Sequence, residues 1–258
     1  MGREVFHRLI TKAKTADWKA LPIGEVMAKV GMELVGTPYV GFTAERWVDR
    51  EVCSVDLTGL DCVTFFENSL AFSRMLKKGG TRPREMRREV ELTGYRDGKL
   101  SDYTSRLHYT SDWIFDNGKK GTVKVLGQQL PGAERFTHPV GYMTQNPDKY
   151  KQLAKFATFV PVIADQEKAI NSRETYFVPT SKVADVEPLL QTGDIIGITT
   201  NATGLDCSHT GFVIRDKHGI LRFIHASSAK KQVLLDVRLS DYLKGSATGI
   251  MVARPLEP

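Results

Sequence analysis

After Gly193-Asp194 the chain turns almost wholly to short β-like runs, and this change of texture is the strongest constraint on its fold. Ile195 to Thr200, Thr210 to Arg215, Ile220 to Ala226, Val233 to Val237 and Gly249 to Arg254 read as strands. Lys217-His218-Gly219 supplies a hairpin turn between the second and third of them. The first third reads differently. Between residues 22 and 36, Ile23, Val26, Met27, Val30 and Leu34 recur at three- and four-residue steps, which predicts a helix that Gly36-Thr37-Pro38 ends. A second helix is predicted from Cys62 to Lys78, with Val63, Phe66 and Leu70 as a stripe widened by Phe65, Phe72 and Leu76. Asp61 stands near its N-cap, and Lys77-Lys78-Gly79-Gly80 suits its end. Helices first and an antiparallel sheet after define an α+β fold rather than alternating βαβ units.

Between these regions the pattern weakens. Residues 81 to about 145 are rich in Gly, Arg, Lys and Asp, with an aromatic and polar island from Leu107 to Trp113. Asn146-Pro147 opens a short helix, Thr175 to Val178 a short strand, and Ser181 is expected to cap another helix reaching Leu190. The 258 residues, 41% hydrophobic and 26% charged, fit a single folded domain spanning 1–258 and exclude disordered and low-complexity readings. Lys plus Arg exceeds Asp plus Glu by 36 − 30 = 6, a mild and scattered excess. It suits an acidic small substrate better than nucleic acid, which is not expected as a partner. No integral membrane segment is expected, since the apolar run Phe156 to Ala164 is broken by Pro161 and falls far short of the ~20 residues a span requires. Residues 1–7 lack a secretory apolar core, so the chain is either cytosolic or has lost a signal peptide.

Three cysteines, Cys53, Cys62 and Cys207, are too few and too scattered for a disulfide framework, and they form no CxxC pair. They leave room for one reactive thiol. Thiol chemistry needs a thiolate, and a helix N-terminus favours one through its dipole and unpaired N–H groups. Cys62 is predicted to sit there, whereas Cys207 lies just before a strand and gains no such help. A lone cysteine is more often a small buried core residue, so a partner matters. His209 and His225 fall on neighbouring strands joined by the hairpin, where they can face each other. The pentapeptide Thr-Gly-Leu-Asp-Cys occurs at 58–62 and again at 203–207. With unlike flanks it reads as two coincident turns. No His-Glu-x-x-His and no Gly-rich phosphate loop is present, so neither metal nor organic cofactor is expected.

Gly36-Thr37-Pro38-Tyr39-Val40, Leu60-Asp61-Cys62, Gly193-Asp194, Ser208-His209-Thr210-Gly211 and Ile224-His225-Ala226-Ser227 run in the order found in the NlpC-type cell-wall hydrolases, a papain-like superfamily, and the chain resembles them. Leu60 to Phe65, Leu107 to Trp113 and Thr200 to His225 resemble its N-acetylmuramoyl-L-alanine amidase-like branch. The resemblance covers roughly residues 22–254. It implies a papain-like fold with N-terminal helices on an antiparallel sheet, Cys62 as nucleophile, His209 as general base and His225 as the group orienting it. It also implies Tyr39, Asp61 and Ser208 as substrate contacts. About 100 residues, near 81–180, stand inserted between the Cys helix and the His strands, and should build a substrate pocket or lid. Tyr109, Ser111, Asp112 and Trp113 are the pocket candidates there.

The implied activity is hydrolysis of a peptidoglycan fragment at the muramoyl–L-alanine amide, by a monomer working in the periplasm or outside the cell. An endopeptidase cutting after γ-D-glutamate would use the same residues. So would a transferase passing the thioester to an amine or alcohol. A cell-wall or nucleic-acid binding module with a dead site would instead show an unreactive Cys62 and no loss on Cys62→Ala.

Overall fold

The computed structural model describes residues 2–243, 245 and 247–258. In chain order it forms α1 (Arg3–Thr15), α2 (Ile23–Glu33), α3 (Cys62–Lys77), α4 (Pro83–Gly94), α5 (Thr110–Lys119), β1 (Val123–Val125) and β2 (Glu134–Arg135). There follow α6 (Tyr142–Gln145), α7 (Lys151–Lys155), α8 (Phe159–Asn171), β3 (Tyr176–Pro179), α9 (Thr180–Val186) and β4 (Ile195–Thr199). The chain ends with β5 (Cys207–Arg215), β6 (Leu221–Ser227), β7 (Gln232–Arg238), α10 (Leu239–Tyr242) and β8 (Gly249–Pro255). The α+β order expected from the sequence is present. The β-like runs pair antiparallel in the order β2-β3-β8-β4-β5-β6-β7, and β1 also pairs with β8. The predicted hairpin turn forms as well: the Gly219 N–H donates to the Asp216 carbonyl at 2.9 Å, and Gly219 takes φ +78°.

Three expectations need correcting. α3 is not a one-sided amphipathic helix. Thr64 to Leu76 is buried on every side, while Val63, placed by the sequence in the apolar stripe, is exposed at the helix start. Most polar residues of this central helix find partners within the protein, while Asn68 Oδ1 is buried without one. Ser69 and Ser73 return their hydroxyls to the carbonyls of Phe65 (2.8 Å) and Ser69 (2.7 Å), and Arg74 pairs with Glu89 at 2.9 Å. Second, α9 begins at Thr180 with no side-chain cap, so Ser181 lies inside it. Third, the weakly patterned stretch after residue 81 contains α4, whose charged outer face masks the apolar residues it buries, and α5, which buries Asp112 and Asp116 and exposes Phe115.

One face of the sheet packs α1 to α4, with Phe65 stacked on Phe212 at 5.2 Å and 9°. Burying a side chain of that size contributes about 2–3 kcal/mol. α2 meets the turn leading into β4 at Gly24, where a Cβ would lie 2.2 Å from the Thr192 carbonyl oxygen. Only glycine allows that approach. The other face carries a second apolar cluster with Val183, Val186 and Leu239 from α9 and α10. The inserted region joins the body directly, because β1 and β3 both hydrogen-bond to β8. Ladder irregularities fall at Ile198/Thr199 against β5 and between Arg222 and Ile224 of β6, beside His209 and His225. Bulges of this kind re-aim side chains next to active sites.

Candidate active site

Cys62 is the first residue of α3, and the helix start is pinned from both sides. The Asp61 carboxylate accepts the Thr64 N–H at 2.8 Å, and the Asp61 N–H donates to the Thr64 hydroxyl at 3.0 Å, a reciprocal capping box. The other carboxylate oxygen of Asp61 accepts from the Thr43 N–H (3.2 Å) and hydroxyl (3.0 Å). Asp61 therefore fastens the preceding loop to the start of α3. Tyr39, which bridges to Leu60, stands close enough that Cys62 and Asp61 add to burial in raising its pKa, so its hydroxyl stays a donor.

The electrostatics at the sulfur differ from the expectation. Burial pushes the Cys62 thiol up, and the Asp61 carboxylate pushes it further. The Thr210 hydroxyl and N–H and the Val63 N–H oppose this by hydrogen bonding to the sulfur, without reversing it. The helix-start advantage is real but smaller than desolvation plus one adjacent anion. Thr210 itself is buried on β5.

His209 directly precedes Thr210 in β5. Its Nε2 lies 2.7 Å from His225 Nδ1, with the rings at 89°. The two histidines that the hairpin was expected to bring together do meet. His225 is 1% exposed and lies between the rings of Phe223 (4.8 Å) and Tyr242 (4.9 Å), and its Nε2 is 3.3 Å from Asp236 Oδ2. Burial, then the neighbouring His225, drives the His209 pKa down to about 3. Burial also lowers His225, against the pull of Asp236. At neutral pH the resting site is thus a thiol beside two neutral imidazoles. Tyr242, raised to about 12 by burial and then by the charges of Asp236 and Cys62, lies 6.3 Å from the His209 ring and closes the cluster.

The sequence reading missed Thr210, Asp236 and Tyr242. A carboxylate inside the strand run Val233 to Val237 was the one available signal for Asp236. Ser208 is exposed on β5. Three of the four α5 pocket candidates are committed to the protein's own framework instead of a substrate surface. The Tyr109 hydroxyl donates to Glu167 at 2.7 Å, Asp112 pairs with Arg96 and Arg173 at 2.7 and 2.5 Å, and Trp113 Nε1 donates to Glu67 at 2.9 Å. Aromatic and acidic side chains in a polar stretch look like a pocket in sequence, yet they are also what a buried polar network is made of. Only Ser111 keeps an unpartnered hydroxyl, where two cavities of about 200 and 350 Å³ adjoin. The second Thr-Gly-Leu-Asp-Cys copy serves α5: Asp206 accepts the Ser111 N–H at 2.6 Å. Among the described residues no cluster of His, Cys, Asp or Glu is placed to hold a metal, and no helix is long and apolar enough to cross a membrane.

The raised thiol gives a pH prediction. Thiolate is the reactive form, so iodoacetamide alkylation of Cys62 should be slow at pH 7. It should keep climbing through the alkaline range with no plateau near neutrality, as followed by mass spectrometry. Cys53, pushed up to about 12 by burial, should lag behind it throughout. A fast, pH-independent rate at neutrality would contradict the thiol–neutral-imidazole resting state. Slow alkylation at pH 7 therefore does not by itself mark a dead site.

The described fold thus places a cysteine at the start of a central helix and a bonded histidine pair on the antiparallel sheet that this helix packs against. Residues 29–250 match the AmiA-like, N-acetylmuramoyl-L-alanine amidase-like family model, and the chain belongs to that family. It is similar to an N-acetylmuramoyl-L-alanine amidase from Bacteroides uniformis ATCC 8492, with 34% identity over 91% of this chain and 99% of that one and a TM-score of 0.83. A Bacteroides fragilis protein, provisionally assigned as a xylanase, is 35% identical over 87% of this chain and 98% of its own, with a TM-score of 0.79. A Legionella pneumophila protein shares the fold at 20% identity and a TM-score of 0.72, over 99% and 96% of the two chains. No curated protein sequence matches.

Proposed function

We propose that this protein is a thiol-dependent amidase that hydrolyses the amide between the lactyl group of N-acetylmuramic acid and L-alanine in peptidoglycan fragments. Membership of the amidase-like family supports the bond. The observation that carries the chemistry is Cys62 at the start of α3, a helix packed against β5, where His209 Nε2 meets His225 Nδ1 at 2.7 Å. In the proposed reaction His209 takes the thiol proton as the sulfur attacks the lactyl carbonyl carbon. The helix-start N–H groups and the Tyr39 hydroxyl donate to the oxyanion. The C–N bond breaks, the proton on His209 passes to the departing L-alanine nitrogen, and a thioester remains. His209 then removes a proton from water, which attacks the thioester, and the thiol recovers its proton as the lactyl carboxylate leaves. We also assign the chain to the NlpC-type, papain-like group on its Cys-His-His order, and expect it to work as a monomer in the periplasm or outside the cell, where this substrate is found.

A glycosidase needs two carboxyl groups flanking the scissile bond, whereas a thiol and two imidazoles surround this one, so the xylanase assignment of one relative is not followed. The test is mass spectrometry of a soluble disaccharide-peptide incubated with wild type and with Cys62→Ala. The expected product is an intact stem peptide beginning with L-alanine, absent with the variant. A shortened stem, with L-alanyl-D-glutamate left on the sugar, would make the protein an endopeptidase instead.

A further inference from the structure

We propose that Asp236 is a positioning residue that ends a three-group chain, Asp236–His225–His209, and thereby dictates which nitrogen of His209 is free to accept the thiol proton. The chemistry rests on the amidase reading, but the geometry does not.

Two neutral imidazoles in hydrogen-bond contact have a degenerate arrangement, because either ring can hold the shared proton. The 2.7 Å contact joins His209 Nε2 to His225 Nδ1. If His225 donates from Nδ1, His209 must carry its own proton on Nδ1, and its only outward nitrogen is blocked as a base. If His209 donates from Nε2, its Nδ1 lone pair is free. Nothing within the pair chooses. The choice comes from the far side of His225, where Nε2 faces Asp236 Oδ2 at 3.3 Å. A carboxylate accepts and cannot donate. His225 must then carry its proton on Nε2, its Nδ1 must accept, and His209 must donate from Nε2.

The surroundings leave Asp236 free for this task. The Val237 N–H donates to Oδ1 at 2.8 Å, which leaves Oδ2 for the imidazole. Arg222 lies nearby but spends its Nε on Asp216 and reaches only the Asp236 backbone carbonyl, at 3.4 Å. The Phe223 ring, stacked at 17°, and the Tyr242 ring hold the His225 plane, so the ring cannot easily turn to another acceptor. A 3.3 Å contact is longer than the charge-assisted range of about 2.7–2.9 Å, as suits a neutral imidazole. It has room to shorten when His209 becomes an imidazolium and positive charge spreads along the chain.

The experiment is long-range ¹H–¹⁵N correlation NMR of the ¹⁵N-histidine-labelled full chain at pH 7, in wild type and Asp236→Ala, alongside kcat and KM on the disaccharide-peptide. Wild type is expected to show both His209 and His225 as the Nε2–H tautomer. Asp236→Ala should populate Nδ1–H forms and lower kcat about 10- to 100-fold with KM nearly unchanged, the range for partners that orient a functional imidazole. The loss should not be greater, because the Asp236 side chain is 23% exposed and water can partly replace it. An Nδ1–H tautomer at either ring in wild type would overturn the assignment, and that measurement stands even if the variant does not fold. Unchanged tautomers in a folded Asp236→Ala would overturn it too. If the wild-type tautomers are as expected but no muropeptide is cleaved, the amidase reading fails and the positioning assignment stands.

Discussion

Cys62→Ala is expected to cut kcat/KM for the disaccharide-peptide by about 10⁵, and His209→Ala by a similar factor, because a nucleophile and its base act as one unit. The double variant should then be little worse than either single one. That non-additivity tests the thiol–imidazole assignment more sharply than either loss alone. Two independent structural lesions would multiply, whereas two parts of one proton transfer cannot be removed twice. Purified variants should keep the wild-type circular dichroism and urea midpoint, since Cys62 contributes little apolar burial. If Cys62→Ala kept a tenth of the activity, the thioester route would be wrong. The activity would have to come from another group, and Cys207, half-buried beside Asp206 with its thiol pushed well up, is a poor substitute.

The largest effect on stability is expected at Arg106, on the far side of the loop that Asp61 anchors. Arg106 Nη2 bonds Glu51 and the Tyr95 hydroxyl (2.7 Å) and reaches the Ala44 carbonyl at 3.1 Å, and Tyr95 donates to the same Glu51 oxygen at 2.7 Å. Gln152 Nε2 donates to the other Glu51 oxygen at 3.0 Å. Glu51 and Arg106 are both buried. Removing one partner strands a buried charge, so Arg106→Leu should lose about 3–5 kcal/mol, read as a shift in the urea midpoint at unchanged m-value. Glu51→Leu/Arg106→Met should recover most of that loss, since a well-packed apolar pair lacks the desolvation penalty. If the double variant were as unstable as the single one, the network would be worth its own hydrogen bonds and not merely the avoidance of a stranded charge. The same network ties the inserted residues Tyr95, Arg106 and Gln152 to the segment 43–51, and Thr43 of that segment holds Asp61. A site built on this segment should therefore lose activity at lower temperature in Arg106→Leu, before global unfolding.

Much of the frame was readable beforehand, for local reasons. Strand runs of β-branched residues, a turn at Lys217-His218-Gly219 and an aspartate before a helix are signals carried within a few residues, and the observed β4 to β8 fall within three residues of the predicted runs. The hairpin also made the meeting of His209 and His225 a local inference. α4 was hidden because its outer face is so heavily charged that the buried side leaves a faint period, and α5 because it buries Asp112 and Asp116 while exposing Phe115, against the usual pattern. The repeated Thr-Gly-Leu-Asp-Cys shows the limit of short patterns. At 58–62 the following Val63-Thr64 supplies the capping box that starts a helix, while at 203–207 the following Ser208-His209 continues into a strand and the aspartate turns to Ser111.

The inventory and its order can be read along the chain: a thiol at a helix start, two histidines across a hairpin, helices before an antiparallel sheet. The state of those groups emerges only once the chain is folded. Whether Cys62 rests as thiol or thiolate depends on burial and on the Asp61 carboxylate outweighing three hydrogen bonds. Whether His225 has a partner depends on a β6–β7 register, shifted between Arg222 and Ile224, that sets Asp236 within reach. Residue identity and spacing are written along the chain, but dielectric and distance arise only between segments far apart in it. The protonation states follow from those two quantities.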